Sequence, residues 1–211
     1  MFSIKEILKS GYEFYLSKFV TIVGATTVVY FAAVFFEEGA DEMFAYTMIG
    51  GIFLSVLFGV IGVIIEIGYV KYLLKLVSGG YPDIKDLLKY SYLFWRYILG
   101  VMLLALVVAG GTILLIVPGI YLALRFMFVP LLILDKEVTI KQAFKKSTVL
   151  TEGSKWKLLG LVLSMALIQI LFSMAFLYHS GPVLSGISTV LVSPFFVITL
   201  IKTYRSLQGL K

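Results

Sequence analysis

Cysteine is absent from the 211-residue chain, and histidine occurs only once, at His179. The lack of cysteine excludes disulfides, thiolate metal sites and cysteine nucleophiles. A single imidazole cannot by itself form a zinc site. The sequence also lacks a phosphate-binding glycine loop and a serine, histidine and acid in triad order. We therefore expect a protein that is not an enzyme and that uses no metal and no cofactor.

Charged residues are also scarce, at 14% of the chain, whereas 60% of the residues are hydrophobic and the mean hydropathy is +1.02. About a quarter of an ordinary soluble domain is charged, so this composition indicates a membrane protein. The net charge of +6 would suggest a nucleic-acid partner in a soluble protein. In a membrane protein it reflects topology and attraction to anionic headgroups. We therefore expect membrane lipids, and no nucleic acid, as partners.

Six apolar runs approach the length of about 20 residues that a membrane-spanning helix needs. They cover residues 19–36, 44–70, 97–117, 120–134, 158–177 and 183–201. The stretch 97–134 is too long for one span. We predict a turn at Pro118 and Gly119, and Gly110 with Gly111 is the competing position.

The Lys and Arg residues show one strong bias. All 18 of them except Arg125 fall in five short stretches, which lie on one side of the membrane if the spans pair into hairpins. The first connection on the other side carries Glu37, Glu38, Asp41 and Glu42. By the positive-inside rule, both termini are expected to be cytoplasmic. We interpret the acidic group as a solvated turn, and a calcium site is the weaker alternative.

Three related segments precede the three hairpins, at residues 4–11, 84–91 and 140–147. Each follows the same order: isoleucine, lysine, polar, apolar, leucine or phenylalanine, lysine, any residue, small residue. On a helix the apolar positions form one stripe and the lysines point away, which predicts an amphipathic helix at the membrane interface. The lysines expected to contact headgroups are Lys5, Lys9, Lys85, Lys89, Lys141 and Lys145.

These patterns predict an all-α, polytopic membrane helical bundle, a single membrane domain over residues 1–211. Six transmembrane helices form three parallel repeats at residues 3–78, 82–135 and 138–205, each with an amphipathic interfacial helix and a transmembrane hairpin. Chance similarity among lysine-rich amphipathic helices is the alternative. The third copy departs from the others after Ser147, where Thr148 and Thr151 replace aromatic residues.

One stretch contains a set of residues that is similar to a known family. In order, these residues are Pro118, Gly119, Arg125, Pro130, Asp135, Ala143 and Ser147. The stretch resembles the polytopic membrane domain of membrane-bound glycerophosphodiester phosphodiesterases and of related uncharacterised prokaryotic integral membrane proteins. The catalytic residues of the phosphodiesterases map onto no positions here. The resemblance therefore implies only a multi-pass protein of a prokaryotic cytoplasmic membrane.

A stripe of small residues on the second run ends in an acid. It comprises Gly51, Ser55, Gly59, Gly62 and Glu66. Such stripes pack against neighbouring helices, so we expect Glu66 to face protein and to form an intramembrane ion pair with Arg125. We interpret the pair as structural support for a helix broken at Pro130, and a substrate or proton site is the alternative.

Polar residues on the last two runs form a candidate polar path. They are Gln169, Ser173, Ser185, Thr189 and Ser193. Interhelical hydrogen bonds are the favoured interpretation, and a transport path is the alternative. Pro130 and Pro194 are expected to break the second helices of their repeats, as in many transporter binding sites.

The sequence leaves three classes of function open. The favoured class is a non-enzymatic membrane scaffold or lipid-interacting protein whose lysine-rich helices lie on anionic headgroups. The alternative is a small transporter or channel that uses Arg125, Glu66 and Gln169. A membrane-embedded lipid enzyme is the third class, and for it the interface offers only Asp83, Asp86 and Asp135.

Overall fold

The computed structural model describes the backbone of residues 3–177 and 182–209, and within these ranges all side chains except those of residues 36–46, 86, 173, 175–177 and 182–189. The described backbone forms nine α-helices and contains no strand. The helices are α1 (Ile4–Ser17), α2 (Phe19–Tyr46), α3 (Met48–Val77), α4 (Phe94–Leu114), α5 (Ile116–Phe126), α6 (Val129–Lys136), α7 (Ile140–Thr151), α8 (Lys155–Leu177) and α9 (Pro182–Gly209). The predicted all-α class is confirmed.

Five helical stretches of the described chain are long and apolar enough to cross a membrane. They are Met48–Val77, Ser91–Leu114, Ile116–Lys136, Lys155–Phe172 and Val190–Gly209. α1 and residues Phe19–Phe35 of α2 meet at a bend of 85°, and they raise the number to six if together they form one span. In the most apolar part of α3 only 6% of the residues are buried inside the bundle. An apolar exterior of this kind suits hydrocarbon and supports a multi-pass membrane protein.

Two prolines determine where the preceding helices end. Pro118 lies in the first turn of α5 and Pro130 in the first turn of α6, where the missing N–H costs little. A proline ring clashes with the carbonyl four residues earlier, and α4 and α5 end at those positions, Leu114 and Phe126. The turn predicted at Pro118 is therefore misplaced, because the chain turns at Leu115, whose backbone is extended.

Pro194 does not interrupt its helix. α9 continues through this residue from Pro182 to Gly209, since a membrane helix tolerates the loss of one backbone donor. The break predicted at Pro194 is wrong. The break predicted at Pro130 is confirmed by the interruption between α5 and α6 at Met127 and Phe128.

The predicted acidic turn at residues 37–42 lies inside a helix. α2 continues to Tyr46, and α3 begins at Met48 after a single residue, Thr47. The Thr47 hydroxyl caps α3 by accepting a hydrogen bond of 3.2 Å from the Gly50 amide. The acidic side chains lie outside the described residues, as does His179.

The amphipathic helix predicted at residues 84–91 is also wrong. The chain forms two short 3₁₀ segments there, Ile84–Leu87 and Ser91–Leu93. The Leu87 carbonyl lies against Gly68 of α3, in the space that a Cβ atom at position 68 would fill. This contact brings the backbone of the segment close to the backbone of α3. A regular helix has side chains on all sides and could not approach α3 so closely.

α1, in contrast, is a regular helix, as predicted. It buries Ile7, Gly11 and Tyr15, and Gly11 lies directly against Thr199 of α9. The Tyr15 ring packs edge-on against Phe195 of α9, with 6.5 Å between the ring centres. The apolar stripe of α1 therefore contacts protein, while its lysines face outward.

Burial is concentrated at one end of the bundle. This end, which we call the basic end, carries the lysine-rich stretches of α1, α3, α6, α7 and α9. Fully buried side chains there include Ile67, Phe128 and Tyr204. At the opposite end, large apolar side chains such as Ile49 and Ile113 are 84% and 85% exposed. Side-chain packing thus fixes the relative positions of the helices mainly at the basic end.

Candidate functional site

Two acids flank Lys136 at the carboxyl end of α6. We call Asp135, Lys136 and Glu137 the acidic connector. Glu137 follows α6 with a left-handed backbone, at a φ of 50°, which few residues other than glycine adopt. Because the carboxyl end of a helix carries partial negative charge, two carboxylates at this point need cations from other elements.

Asp135 obtains its partners from α9. Its Oδ1 accepts a hydrogen bond of 2.7 Å from Arg205 Nη2, and its Oδ2 accepts one of 2.9 Å from the Tyr204 hydroxyl. The Asp135 side chain is only 10% exposed. Arg205 also donates to the hydroxyl of Ser78, which follows α3, over 3.3 Å. A charge-assisted contact largely withdrawn from water therefore ties α6 to α9 and to the end of α3.

Glu137 obtains its partners from α3 and from the start of the α4 span. Its Oε1 accepts hydrogen bonds of 2.7 Å from Lys71 Nζ and 2.8 Å from the Tyr92 hydroxyl. Its backbone carbonyl accepts one of 2.6 Å from Arg96 Nη1. The Lys71 ammonium, followed by the Tyr92 hydroxyl, holds the pKa of the Glu137 carboxyl below its ordinary value of 4.5.

The acidic connector thus fastens α3, α4, α6 and α9 together at the basic end. Its contacts were not predicted from the sequence, where Asp135 belonged to the resemblance and to the three interfacial acids of the third class of function, and where its basic partners served only to predict topology. One signal was available. The chain has only 12 acidic residues, and two of them bracket the end of a single span.

Arg125 lies in the last turn of α5, directly before the interruption. Its backbone carbonyl accepts hydrogen bonds of 2.9 Å from the Ser147 hydroxyl and 3.2 Å from the Thr151 hydroxyl. Its side-chain Nε donates a bond of 3.3 Å to the Thr148 hydroxyl. Ser147 and Thr151 are fully buried. α7 therefore satisfies the groups that the broken helix leaves without helical partners.

Glu66 does not form the predicted ion pair with Arg125. Its Oε1 accepts a hydrogen bond of 2.9 Å from the Tyr97 hydroxyl of α4, and the residue is exposed on the surface of the bundle. Neither Glu66 nor Arg125 belongs to an ion pair within the described part of the chain. The physical reason is that α7 provides hydroxyl partners for Arg125, while α4 provides a neutral donor for Glu66.

The small-residue stripe does not turn Glu66 inward either. A Cβ atom at Gly59 or Gly62 would meet no atom within 4 Å, and Ser55 is exposed. Gly51, at the far end of the stripe, is buried. Most of the stripe therefore lies on the outer surface of α3.

The candidate polar path is described only in part. Gln169 lies midway along α8 and Ser193 lies within α9, and both are half-buried. The side chains of Ser173, Ser185 and Thr189 lie outside the described residues. The path remains a prediction.

The six lysines predicted to contact headgroups all have exposed side chains. The structure distributes them over α1, the 3₁₀ segments with the turn after them, and α7. Lys9 lies 3.8 Å from Glu13 one turn away, and an exposed pair of this kind leaves the lysine accessible to other anions.

A hollow opens at the basic end beside α6, α7 and the end of α9. Its volume is about 640 Å³, and we call it the lysine hollow. It is lined by Leu132, Lys136, Lys145, Lys146, Val149, Leu150 and Gln208. Of its three lysines only Lys145 belongs to the repeated pattern, so sequence reasoning missed the other two.

Among the described residues, no group of three or more His, Asp or Glu side chains is arranged to hold a metal ion. No family model, curated protein or solved structure matches the chain.

Proposed function

We propose that the protein is a non-enzymatic, lipid-interacting membrane scaffold whose basic end lies on an anionic membrane surface. The observation that carries this proposal is the bend of 85° between α1 and α2. If α2 crosses the membrane, α1 lies nearly in its plane. Lys5 and Lys9 then point away from the bundle at the level of the headgroups.

The distribution of charge supports the same orientation. Exposed lysines occur on α1, on α7 and near the 3₁₀ segments, and each lysine close to an anionic surface contributes about 1 kcal/mol of attraction. By the positive-inside rule the basic end is cytoplasmic, and so are both termini. The resemblance to prokaryotic membrane domains fits a multi-pass protein of the cytoplasmic membrane.

The three parallel repeats belong to this proposal. Residues 3–78 begin with α1 and residues 138–205 begin with α7, and each of these helices precedes two long helices. Residues 82–135 begin with 3₁₀ segments in the corresponding place. Each repeat would thus place one lysine-bearing segment at the same membrane surface.

The acidic connector supports a scaffold because it makes the basic end rigid. Asp135 and Glu137 hold α3, α4 and α9 through charge-assisted hydrogen bonds. A fixed arrangement of the helices keeps the lysine-bearing segments in one relative position. Such a surface can bind lipids or support other membrane components without changing shape.

The proposal is tested by measuring lipid enrichment around the protein. Trp95 and Trp156 are 72% and 85% exposed and lie beside the lysine-rich stretches, so they serve as energy donors to lipids that carry an acceptor dye. We expect stronger transfer to labelled phosphatidylglycerol than to labelled phosphatidylcholine, and salt should weaken the difference. Equal transfer to both lipids would contradict the proposal.

The six-lysine variant, with glutamine at positions 5, 9, 85, 89, 141 and 145, provides the matched comparison. It should lose most of the preference for phosphatidylglycerol while keeping the helical circular dichroism of the parent protein. A variant that keeps the full preference would show that these lysines do not carry it.

The break between α5 and α6 next to Arg125 favours a small transporter as the second candidate function, since broken helices line many transport sites. Against this, the Arg125 carbonyl and Nε are already bound by hydroxyls of α7. We expect no protein-dependent proton flux into sealed vesicles that contain a pH-sensitive dye. A flux that Arg125→Gln abolishes would favour the transporter.

A further inference from the structure

We propose that the lysine hollow is a binding site for one anionic phospholipid, with the phosphate among Lys136, Lys145 and Lys146. The inference builds on the proposed function, because it assigns one specific site within a surface that attracts anionic lipids generally. The hollow, at about 640 Å³, falls within the range of about 300–1,000 Å³ that is common for small-molecule sites. That space accommodates a phosphate together with the glycerol of a lipid.

The charge of the hollow is available to a ligand. No carboxylate is among its lining residues, and within the described chain no ion pair includes Lys145 or Lys146. Lys136 lies 3.3 Å from Asp135, but that carboxylate is already held by Arg205 at 2.7 Å. Three ammonium groups around one hollow match the several oxygens of a phosphate.

The Gln208 side chain, which lines the lysine hollow, is held in place by neighbouring residues. Its Nε2 donates a hydrogen bond of 2.7 Å to the Tyr204 hydroxyl, and the same hydroxyl donates to Asp135. The hollow is therefore anchored to the acidic connector. A site that is already ordered binds its ligand with a smaller loss of entropy.

The floor of the hollow favours a lipid over a soluble anion. Leu132 and Leu150 are almost fully buried, whereas Val149 is 48% exposed, so the hollow combines basic residues with an apolar surface. Leu132 lies one helical turn before Lys136 in a membrane-spanning stretch. Among the apolar lining residues, the exposed Val149 therefore offers a contact beside the lysines, where the glycerol and the first methylene groups of a lipid would lie.

Native mass spectrometry of the full chain in detergent tests the assignment. We expect the protein to retain one phosphatidylglycerol molecule more strongly than phosphatidylcholine. The variant Lys145→Gln with Lys146→Gln should bind phosphatidylglycerol roughly 30-fold more weakly, given the attraction expected from two lysines. The matched variant Lys5→Gln with Lys9→Gln removes the same charge from α1 and should retain the lipid. Arginine at positions 145 and 146 should restore binding.

The outcomes separate this inference from the proposed function. If both glutamine variants lose the bound lipid equally, while the energy-transfer preference for phosphatidylglycerol persists, the lysine hollow is not the site although the lipid-interacting function stands. If neither assay shows a preference for the anionic lipid, both proposals fail. If soluble glycerol phosphate displaces the lipid at equal concentration, the occupant is a soluble phosphate compound and the lipid assignment is overturned.

Discussion

The Ser147 hydroxyl donates a hydrogen bond of 2.9 Å to the backbone carbonyl of Arg125, which joins α7 to the end of α5. Because Ser147 is fully buried, water cannot replace this donor. α7, at the basic end, therefore supplies hydrogen bonds to the end of α5, where the span formed by α5 and α6 is interrupted.

Ser147→Ala should lower the free energy of unfolding in mixed micelles by about 0.5–1.5 kcal/mol, since it removes the shorter of the two hydroxyl hydrogen bonds to the Arg125 carbonyl and leaves only the one from Thr151. Ser164→Ala is the matched control, because the Ser164 hydroxyl donates only within its own helix, to the Gly160 carbonyl over 2.7 Å. The control should change stability by less than about 0.5 kcal/mol. Equal effects of the two substitutions would contradict the proposed contribution of Ser147.

A double-mutant cycle should find no coupling between Glu66 and Arg125. Their partners are Tyr97 and Thr148, respectively, so the effects of Glu66→Gln and Arg125→Gln on unfolding should add within about 0.5 kcal/mol. The cycle of Glu66→Gln with Tyr97→Phe should instead show a coupling of about 1 kcal/mol. A coupling confined to the first cycle would restore the predicted ion pair.

Two glycines of α3 should respond oppositely to alanine. At Gly68 the added Cβ would collide with the Leu87 backbone, which cannot move aside as a flexible side chain can. At Gly59 the added Cβ would meet no atom within 4 Å. We expect Gly68→Ala to destabilise the protein and to release residues 84–93 to faster hydrogen exchange. Gly59→Ala should be neutral or stabilising by up to about 1 kcal/mol, because alanine favours the helix. Similar stabilities of the two variants would contradict the close contact.

Acid should weaken the contacts of Glu137. In the folded protein, Lys71 and Tyr92 lower the pKa of the Glu137 carboxyl. The stabilising contribution of Glu137 is therefore fully present above pH 4.5, the ordinary pKa of the group. It is lost as the pH falls through the lowered pKa of the folded state. Glu137→Gln should therefore reduce the acid dependence of unfolding, measured in micelles across this range. Glu13→Gln changes a side chain that is 64% exposed, and it should leave the acid dependence of unfolding the same as in the parent protein. An unchanged profile in Glu137→Gln would contradict the account.

Particular residues show what the sequence predicted and what it could not. Composition and apolar runs were sufficient for the all-α membrane class, because hydrocarbon requires long apolar helices. The contact of Leu87 with Gly68 replaced a predicted helix, and periodicity carries no information on how closely two backbones approach. The third lysine-rich segment has Thr148 and Thr151 where the other two have aromatic residues, and the structure gives the reason. Thr148 accepts a hydrogen bond from Arg125 Nε, and Thr151 donates one to the Arg125 carbonyl.

The site was less predictable than the fold. Exposed lysines follow from the amphipathic pattern, but Asp135 and Arg205 are 70 residues apart, and only the packing of α6 beside α9 brings them together. The lysine hollow likewise combines residues of three helices, and only one of its lysines stands at a repeated position. Long-range contacts of this kind depend on helix packing, which a single sequence does not specify.

The depth of spin labels in anionic vesicles measures whether the basic end lies on the membrane surface. Since the chain has no cysteine, Lys9→Cys, Lys141→Cys and Val28→Cys each provide a unique attachment point. We expect labels at positions 9 and 141 to collide readily with a water-soluble nickel chelate, because they lie at the headgroups. The label at position 28 should collide mainly with oxygen, because it lies in the hydrocarbon. Labels at positions 9 and 141 that are as deep as the label at position 28 would contradict this placement of the basic end.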